Sequence, residues 1–398
     1  MYLSSFIHCE DLFNITERWL CGRLKPDDGI HITQILICDG FVAGETLETV
    51  TNLLLGMIYD GPFTTEVIHL KGQLRDAICR NVQNKTHRIE ELISQYKNNP
   101  DFYYREAPIN GFTCLSPQGH LLGLYRIKRP RRIAEKANRY IANWIFRIVQ
   151  NRASKMATER AQELGIPVEG LLTPPEEMAR EFVKAEEAIA GEFREGVMKL
   201  DRPALSIDDV GGIKVIADAD RLSRLERLLL DHPKIKILDK EKYWGNYQAN
   251  SLILEVSWDK EDICRRYKDR KAWMKYINRG IPEYELRKGL ELFLDGCKPT
   301  LNIELIISTF QDMVESELGK SIHEERIIAQ RDNKVYKGYI PMNVEFLIEY
   351  LFALGLSPQV SIDRLPIKLW GRYLSDTISS HIRQLYHIPE YDVFYKRC

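Results

Sequence analysis

Asp209 opens the segment Asp209-Val210-Gly211-Gly212-Ile213-Lys214-Val215-Ile216, in which a glycine-containing turn runs into an apolar, β-branched stretch. That pattern delivers a carboxylate at the start of a strand, with the cation Lys214 five residues on. A second carboxylate, Glu304, lies inside another strand-like stretch, Leu301 to Ser308. Two acidic groups on neighbouring strands of one sheet can hold a divalent metal, which phosphoryl-type chemistry usually needs. Each residue also has a plainer reading. Asp208 and Asp209 suit a turn ahead of a strand. Glu304, between Ile303 and Leu305, faces either solvent or a partner, because an apolar strand cannot bury a carboxylate alone.

A basic cluster lies upstream. Arg126, Lys128, Arg129, Arg131, Arg132, Lys136 and Arg139 fall within fourteen residues. Charges so crowded repel one another unless an anion is near. Pro130 interrupts the run, so a turn feeds a helix starting near Arg131, and its N-terminal dipole adds to the positive field. A triphosphate site, an RNA-contacting patch and a solvated helix face all fit this pattern. Tyr243, Trp244 and Tyr247 sit on or beside a turn, where aromatic rings either stack on a purine base or fold back onto a core.

The elements that must position these groups follow from periodicity. Near the N-terminus the pattern gives a helix over Phe6 to Arg23, a strand over Ile30 to Cys38 ended by Gly40, and a helix near Leu47 to Tyr59. A strand at Thr65 to Leu70 and one long charged helix from Gln73 to Lys97 follow. Gly111, Pro117, Gly119 and Gly123 punctuate a hairpin-like region. The helix from Arg131 continues to about Leu164, and a second charged helix ends near Gly196. Beyond Asp209 come strand Gly212 to Ala217, helix Ala219 to Asp231, and strands Lys234 to Leu238 and Asn250 to Trp258. A mostly helical stretch runs from Lys260 to Leu294, then the Glu304 strand, a helix from Phe310 to Gln330, and helices near Val344 to Leu354 and Pro366 to Leu385. The fold class expected is α/β (α+β), a mixed sheet of about five strands flanked by helices. The division expected is an N-terminal α/β domain over residues 1–110, a central domain over 111–330 with helical insertions at about 140–205 and 260–297, and a helical region over 331–398.

The chain has 398 residues, enough for two or three domains, with ordinary apolar (44%) and charged (28%) content. A formal net charge of -1 does not suit a nucleic-acid coat protein. No apolar run approaches the roughly 20 residues of a membrane span, and the first twenty residues read as an amphipathic helix and not a signal peptide. The eight cysteines form no CxxC pair and no zinc spacing, which suits reduced thiols in a cytoplasmic protein.

The pieces occur in an order that resembles the synthetase domain of the RelA/SpoT family, over about Tyr125 to Arg326. Arg126-Ile127-Lys128-Arg129-Pro130-Arg131-Arg132-Ile133-Ala134-Glu135-Lys136 resembles the family's basic segment RxKSxxSIxxK, which grips the donor nucleotide's phosphates. Asp209 to Lys214 is similar to its DxxGxR strand, whose Asp holds magnesium. Asn246-Tyr247-Gln248-Ala249-Asn250-Ser251 stands where GYRSxH would be, with Tyr247 as the ring that stacks on the acceptor guanine. Glu304-Leu305-Ile306-Ile307-Ser308-Thr309 stands where ExQxRT would be, with Asp312 and Glu317 following as in the family. The resemblance implies a nucleotidyltransferase-like fold that moves pyrophosphate from ATP to the 3′-hydroxyl of GDP or GTP with Mg2+. It assigns Asp209 and Glu304 as metal ligands, Glu304 also as candidate general base, and Arg126, Lys128, Arg132, Lys136, Lys214 and Tyr247 to nucleotide binding. Gln248, Ser251, Ile306 and Ser308 depart from the family's Arg, His, Gln and Arg, and these changes fall on the acceptor side. The acceptor expected is therefore a guanine nucleotide, another nucleotide or an RNA end. A nucleotide-sensing or partner-binding module without catalysis, and an RNA-directed protein, are the alternative readings.

Overall fold

The computed structural model describes residues 1–168, 175–243, 248–319, 338–373 and 385. A two-residue strand, β1 (Tyr2–Leu3), leads into helix α1 (Cys9–Leu20), whose Leu12, Phe13, Ile15, Trp19 and Leu20 form one buried face. Next comes α2, Asp28–Gly56, a single helix of 29 residues. The expected strand at Ile30 to Cys38 is thus its first turns, and Gly40 lies inside it. Ile32, Ile35, Ile37, Phe41 and Val42 are buried around more than one side of α2. An apolar run without a solvated face carries no period, so sequence alone cannot separate a buried helix from a buried strand.

β2 (Thr64–Leu70) precedes α3 (Lys71–Arg80) and α4 (His87–Asn98). These two replace the expected single helix over Gln73 to Lys97. Asn81 is extended at the end of α3, and the Thr86 hydroxyl accepts the Ile89 N–H at 3.3 Å to start α4 afresh. β3 (Pro108–Leu115) and β4 (Leu121–Ile127) make the expected hairpin. α5 (Pro130–Leu164) starts with Pro130 in its first turn and ends at Gly165, whose φ of +63° suits a residue without a side chain. After α6 (Pro175–Glu195) and the short β5 (Ser206–Ile207) come β6 (Gly211–Ile216), α7 (Ala219–Leu230), β7 (Ile235–Tyr243) and β8 (Ala249–Ser257). The stretch expected to be helical to Leu294 holds α8 (Lys260–Asp269), one 3-10 turn and α9 (Glu283–Arg287), because Gly280, Pro282 and Gly289 break it. β9 (Thr300–Ser308), α10 (Phe310–Leu318) and α11 (Tyr339–Leu356) follow. The expected extension of α10 to Gln330 lies outside the described residues. Residues 366–373 are turns and irregular chain, and the rest of the expected helix to Leu385 lies almost entirely outside the described residues.

Seven strands form one mixed sheet in the order β2-β3-β4-β6-β9-β8-β7. β6 and β9 are parallel; every other neighbouring pair is antiparallel. The expected boundary at residue 110 falls inside β3, and β2, from the N-terminal region, is an edge strand of the common sheet. Side chains alternate faces along each strand. Ile213, Val215, Leu305 and Ile307 face a core shared with α2 and with Tyr267, Leu290 and Leu294. On the opposite face, Leu124 and Ile216 pack with α3, α4 and α10 through Leu74, Ile89, Leu92 and Val314. A third core joins α1, the start of α2, α5, α6 and α11. Among the described residues α11 has the length and composition to cross a membrane, but its Ile340, Val344, Leu347 and Leu351 are buried in that third core.

Candidate functional site

The site sits on the sheet face opposite α2, where three strands meet. Across β4, β6 and β9, Arg126 lies beside Gly212 and Gly212 beside Glu304. The next rung holds Leu124, Lys214 and Ile306. Parallel pairing of β6 with β9 thus brings Glu304 next to the segment led by Asp209, although 95 residues separate them in sequence. Beyond β4, the Lys128 N–H donates to Val210 O at 2.8 Å, which holds Lys128 beside Asp209. Arg129 is then extended, as a residue before proline must be, and the chain turns into α5. Arg132, Lys136 and Arg139 follow at helical spacing, so they share one face of α5 and reach the same space.

That space is a cavity of about 500 Å3. Asp209, Glu304, Arg126, Lys128, Arg132, Lys136 and Lys214 all line it, and so does Arg139. Tyr247, like Trp244, lies outside the described residues. At the centre, Lys128 Nζ donates to Asp209 Oδ2 at 2.5 Å and to Glu304 Oε2 at 3.4 Å. Lys136 donates to the same Asp209 oxygen. The other oxygen, Asp209 Oδ1, is buried and has no hydrogen-bond partner among the described residues. Ser251 brings its hydroxyl 3.4 Å from Glu304 Oε1. Ile306 adds an apolar surface to the cavity, and Ser308 is buried in the sheet. Gln248 donates its backbone N–H to Asp312 Oδ1 at 2.9 Å.

The electrostatics are those of a cation-rich cleft around two carboxylates. Burial pushes the Asp209 carboxyl up, but Lys128 and Lys136 outweigh it and hold its pKa below the ordinary value. Burial disfavours the Lys136 ammonium, and Asp209 more than compensates, so its pKa is raised. Lys214 is held below its ordinary value by burial and by the like charge of Arg126, against the pull of Glu317. Burial likewise works against the charge on Arg126 and Arg139, and their basic neighbours add to it. Three cations held at a cost beside a cavity are a ready site for a polyanion.

The opposite wall was not legible in the basic segment. Arg88 of α4 reaches Glu315 of α10 with two hydrogen bonds, Nε to Oε1 at 2.6 Å and Nη2 to Oε2 at 3.2 Å. Both residues line the cavity, with Glu317, Ser316, Tyr243, Leu74 and Ile109. A sequence signal existed for Glu317 and Tyr243, which lie next to motifs, but none for Arg88, Leu74 or Ile109.

No family model matches the chain, and no curated protein matches it. Among solved structures the chain is similar to the small alarmone synthetase 2 from Bacillus subtilis, at 13% identity and a TM-score of 0.20, over 53% of this chain and 92% of that one. It is also similar to a GTP pyrophosphokinase family protein from Streptococcus pneumoniae, at 13% identity and a TM-score of 0.20, over 56% of this chain and 88% of that one.

Proposed function

We propose that this chain is a divergent nucleotide pyrophosphotransferase, moving pyrophosphate from ATP to a guanine nucleotide or another 3′-hydroxyl acceptor. The observation that carries the reading is the meeting of Asp209 and Glu304 around one ammonium group, inside a cavity lined by Arg126, Arg132, Lys136, Arg139 and Lys214. The donor set fits magnesium. Asp209 Oδ1 is a buried oxygen without a partner among the described residues, and Glu304 stands one strand away. Among the described residues no third acidic or imidazole ligand joins them, which suits an ion that keeps waters and phosphate oxygens in its shell. Held by Asp209 and Glu304, magnesium would neutralise charge on the triphosphate and make the acceptor hydroxyl more acidic.

The chain's own residues do the rest. Arg132, Lys136 and Arg139 align the triphosphate along α5, and Arg126 and Lys214 meet it from the sheet. Lys128 exchanges its carboxylate partners for a phosphate oxygen. Glu304 takes the proton of the attacking hydroxyl as its oxygen bonds to the β-phosphorus; the α,β-bridging bond breaks and AMP leaves. The test is ATP labelled at the β-phosphate, incubated with magnesium and a panel of nucleotide and RNA acceptors. Label should move to one acceptor, and Asp209→Ala should abolish the transfer. No transfer to any acceptor, or an Asp209→Ala variant as active as the parent, overturns the proposal.

A second reading, nucleotide binding without turnover, draws on Ile306 and Ser308 standing where the related motif is polar and basic. Calorimetry separates the two: tight binding of ATP or a guanine nucleotide by a chain that transfers nothing supports the binding module.

A further inference from the structure

Away from the cavity, three residues from distant parts of the chain form a second constellation. Asp39, in the middle of α2, is fully buried. Its two oxygens are both given to His8, one to the backbone N–H at 2.8 Å and one to the ring Nδ1 at 2.8 Å. Burial raises the Asp39 pKa, against the pull of His8 and the Ile7 backbone; with Asp39 ionised, Nδ1 carries the proton toward it, and Nε2 is left as the base. Nε2 lies 3.4 Å from the sulfur of Cys297, on the loop three residues ahead of β9. Phe293 packs on the imidazole, ring centroids 4.1 Å apart, and holds it in place. Cys297 is half-buried.

We propose that Cys297, His8 and Asp39 form a second reactive site, in which Cys297 is a nucleophilic thiol oxidised by small peroxides. Buried structural cysteines are inert; a thiol paired with an oriented imidazole and open to solvent is not. The Cys297 thiol is also within weak-donor reach of the carbonyl oxygens of Phe293 and Asp295, at 3.7 and 3.8 Å, which favour the protonated form, so its activation falls to the imidazole. In the reaction the thiol proton passes to His8 Nε2, and the sulfur attacks one peroxide oxygen. The S–O bond forms as the O–O bond breaks. The leaving hydroxide or alkoxide takes the proton from the imidazolium and departs as water or alcohol. Cys297 ends as a sulfenic acid, oxidised by two electrons, and the peroxide is reduced by two.

Burial pushes the Cys297 thiol up, with Asp11, Asp39 and Asp295 adding to it and Lys260 opposing. Burial lowers the His8 pKa, but the hydrogen bond and charge of Asp39, with the charge of Asp11 and the Phe293 carbonyl, outweigh it, so it is raised. The thiol therefore depends on His8 for its reactivity near neutrality.

Cys9 is the control, since it is also half-buried but has no imidazole at its sulfur among the described residues. The full-length chain is treated with limiting hydrogen peroxide and a sulfenic-acid trapping reagent, and adducts are counted at each cysteine by mass spectrometry. Cys297 should be trapped about tenfold faster than Cys9, as expected of an activated thiol. Its rate should rise with pH through the titration of His8, and His8→Gln should remove that rise. Equal rates at Cys297 and Cys9 in the parent chain overturn the proposal whatever the variant does. So does a Cys297 pH profile that His8→Gln leaves as it was.

Discussion

Arg126 and Glu304 occupy one rung of the sheet, on strands that never touch, with Gly212 of β6 between them. The missing side chain at Gly212 leaves the cavity floor open between a cation and a carboxylate. A Cβ built there meets nothing closer than 3.6 Å, the Glu304 Oε2. The φ of Gly212 is not in the left-handed region, so a β-branched residue suits the strand. Gly212→Val should keep the melting temperature or raise it slightly, while ATP affinity falls about tenfold, or 1.4 kcal/mol. Thermal melts paired with calorimetry check it. Unchanged affinity would mean that the nucleotide does not lie over this rung.

The ion cluster at Asp209 sets a pH window for stability. With its native pKa lowered, Asp209 contributes stability that is present above its unfolded value of about 3.9 and lost as pH falls through the native one. Lys136, raised, contributes below its unfolded value of about 10.4 and loses that contribution as pH climbs through the native one. Asp209→Asn leaves two half-buried ammonium groups with less counter-charge and should lose about 1–3 kcal/mol near neutral pH. Melts from pH 8 to pH 3 should show the gap between parent and variant closing at the acid end. A gap that stays constant across the range contradicts the assignment.

How much of this the sequence revealed depended on where the signal lay. β6, β9 and α5 were legible because each pairs a clear period with a punctuating Gly or Pro, and those three elements carry the charged centre. The first part of α2 was not, because its apolar residues wrap the helix and leave no period. The Arg126–Gly212–Glu304 rung was hidden for a different reason: the strand order β4-β6-β9 joins segments that are not consecutive. The partnership of Arg88 with Glu315 spans 227 residues, and nothing local to either residue marks it.

Arg88 and Glu315 also allow a direct test of the second wall. The pair is partly exposed, so its worth to stability is small, about 0–1 kcal/mol. Its effect on binding should be larger. Arg88→Ala frees a carboxylate to face the bound polyanion, and nucleotide affinity should fall several-fold, as expected for a like charge placed at a binding site. Glu315→Ala alone should raise affinity slightly. In the double variant the affinity should return close to the parent's, giving a coupling that a double-mutant cycle measures. Additive effects would place the nucleotide's phosphates away from α4 and α10.

The balance of charge at the cavity centre yields a result with opposite signs in the presence and absence of magnesium. Without the ion, Asp209 and Glu304 oppose an incoming anion while Lys128 and Lys136 are engaged with Asp209. Asp209→Asn removes one negative charge and releases both ammonium groups toward the ligand. Inorganic pyrophosphate alone should therefore bind the variant several-fold more tightly than the parent, with a steeper decline as salt is added, because exposed charges are screened. With magnesium the order should reverse: the parent should gain affinity through the ion, and the variant, lacking one of the two carboxylates proposed to hold it, should gain little. Titrations of pyrophosphate with and without magnesium, on both proteins, give four affinities. Reversal of their order places the ion at Asp209; the same order in both conditions places it elsewhere.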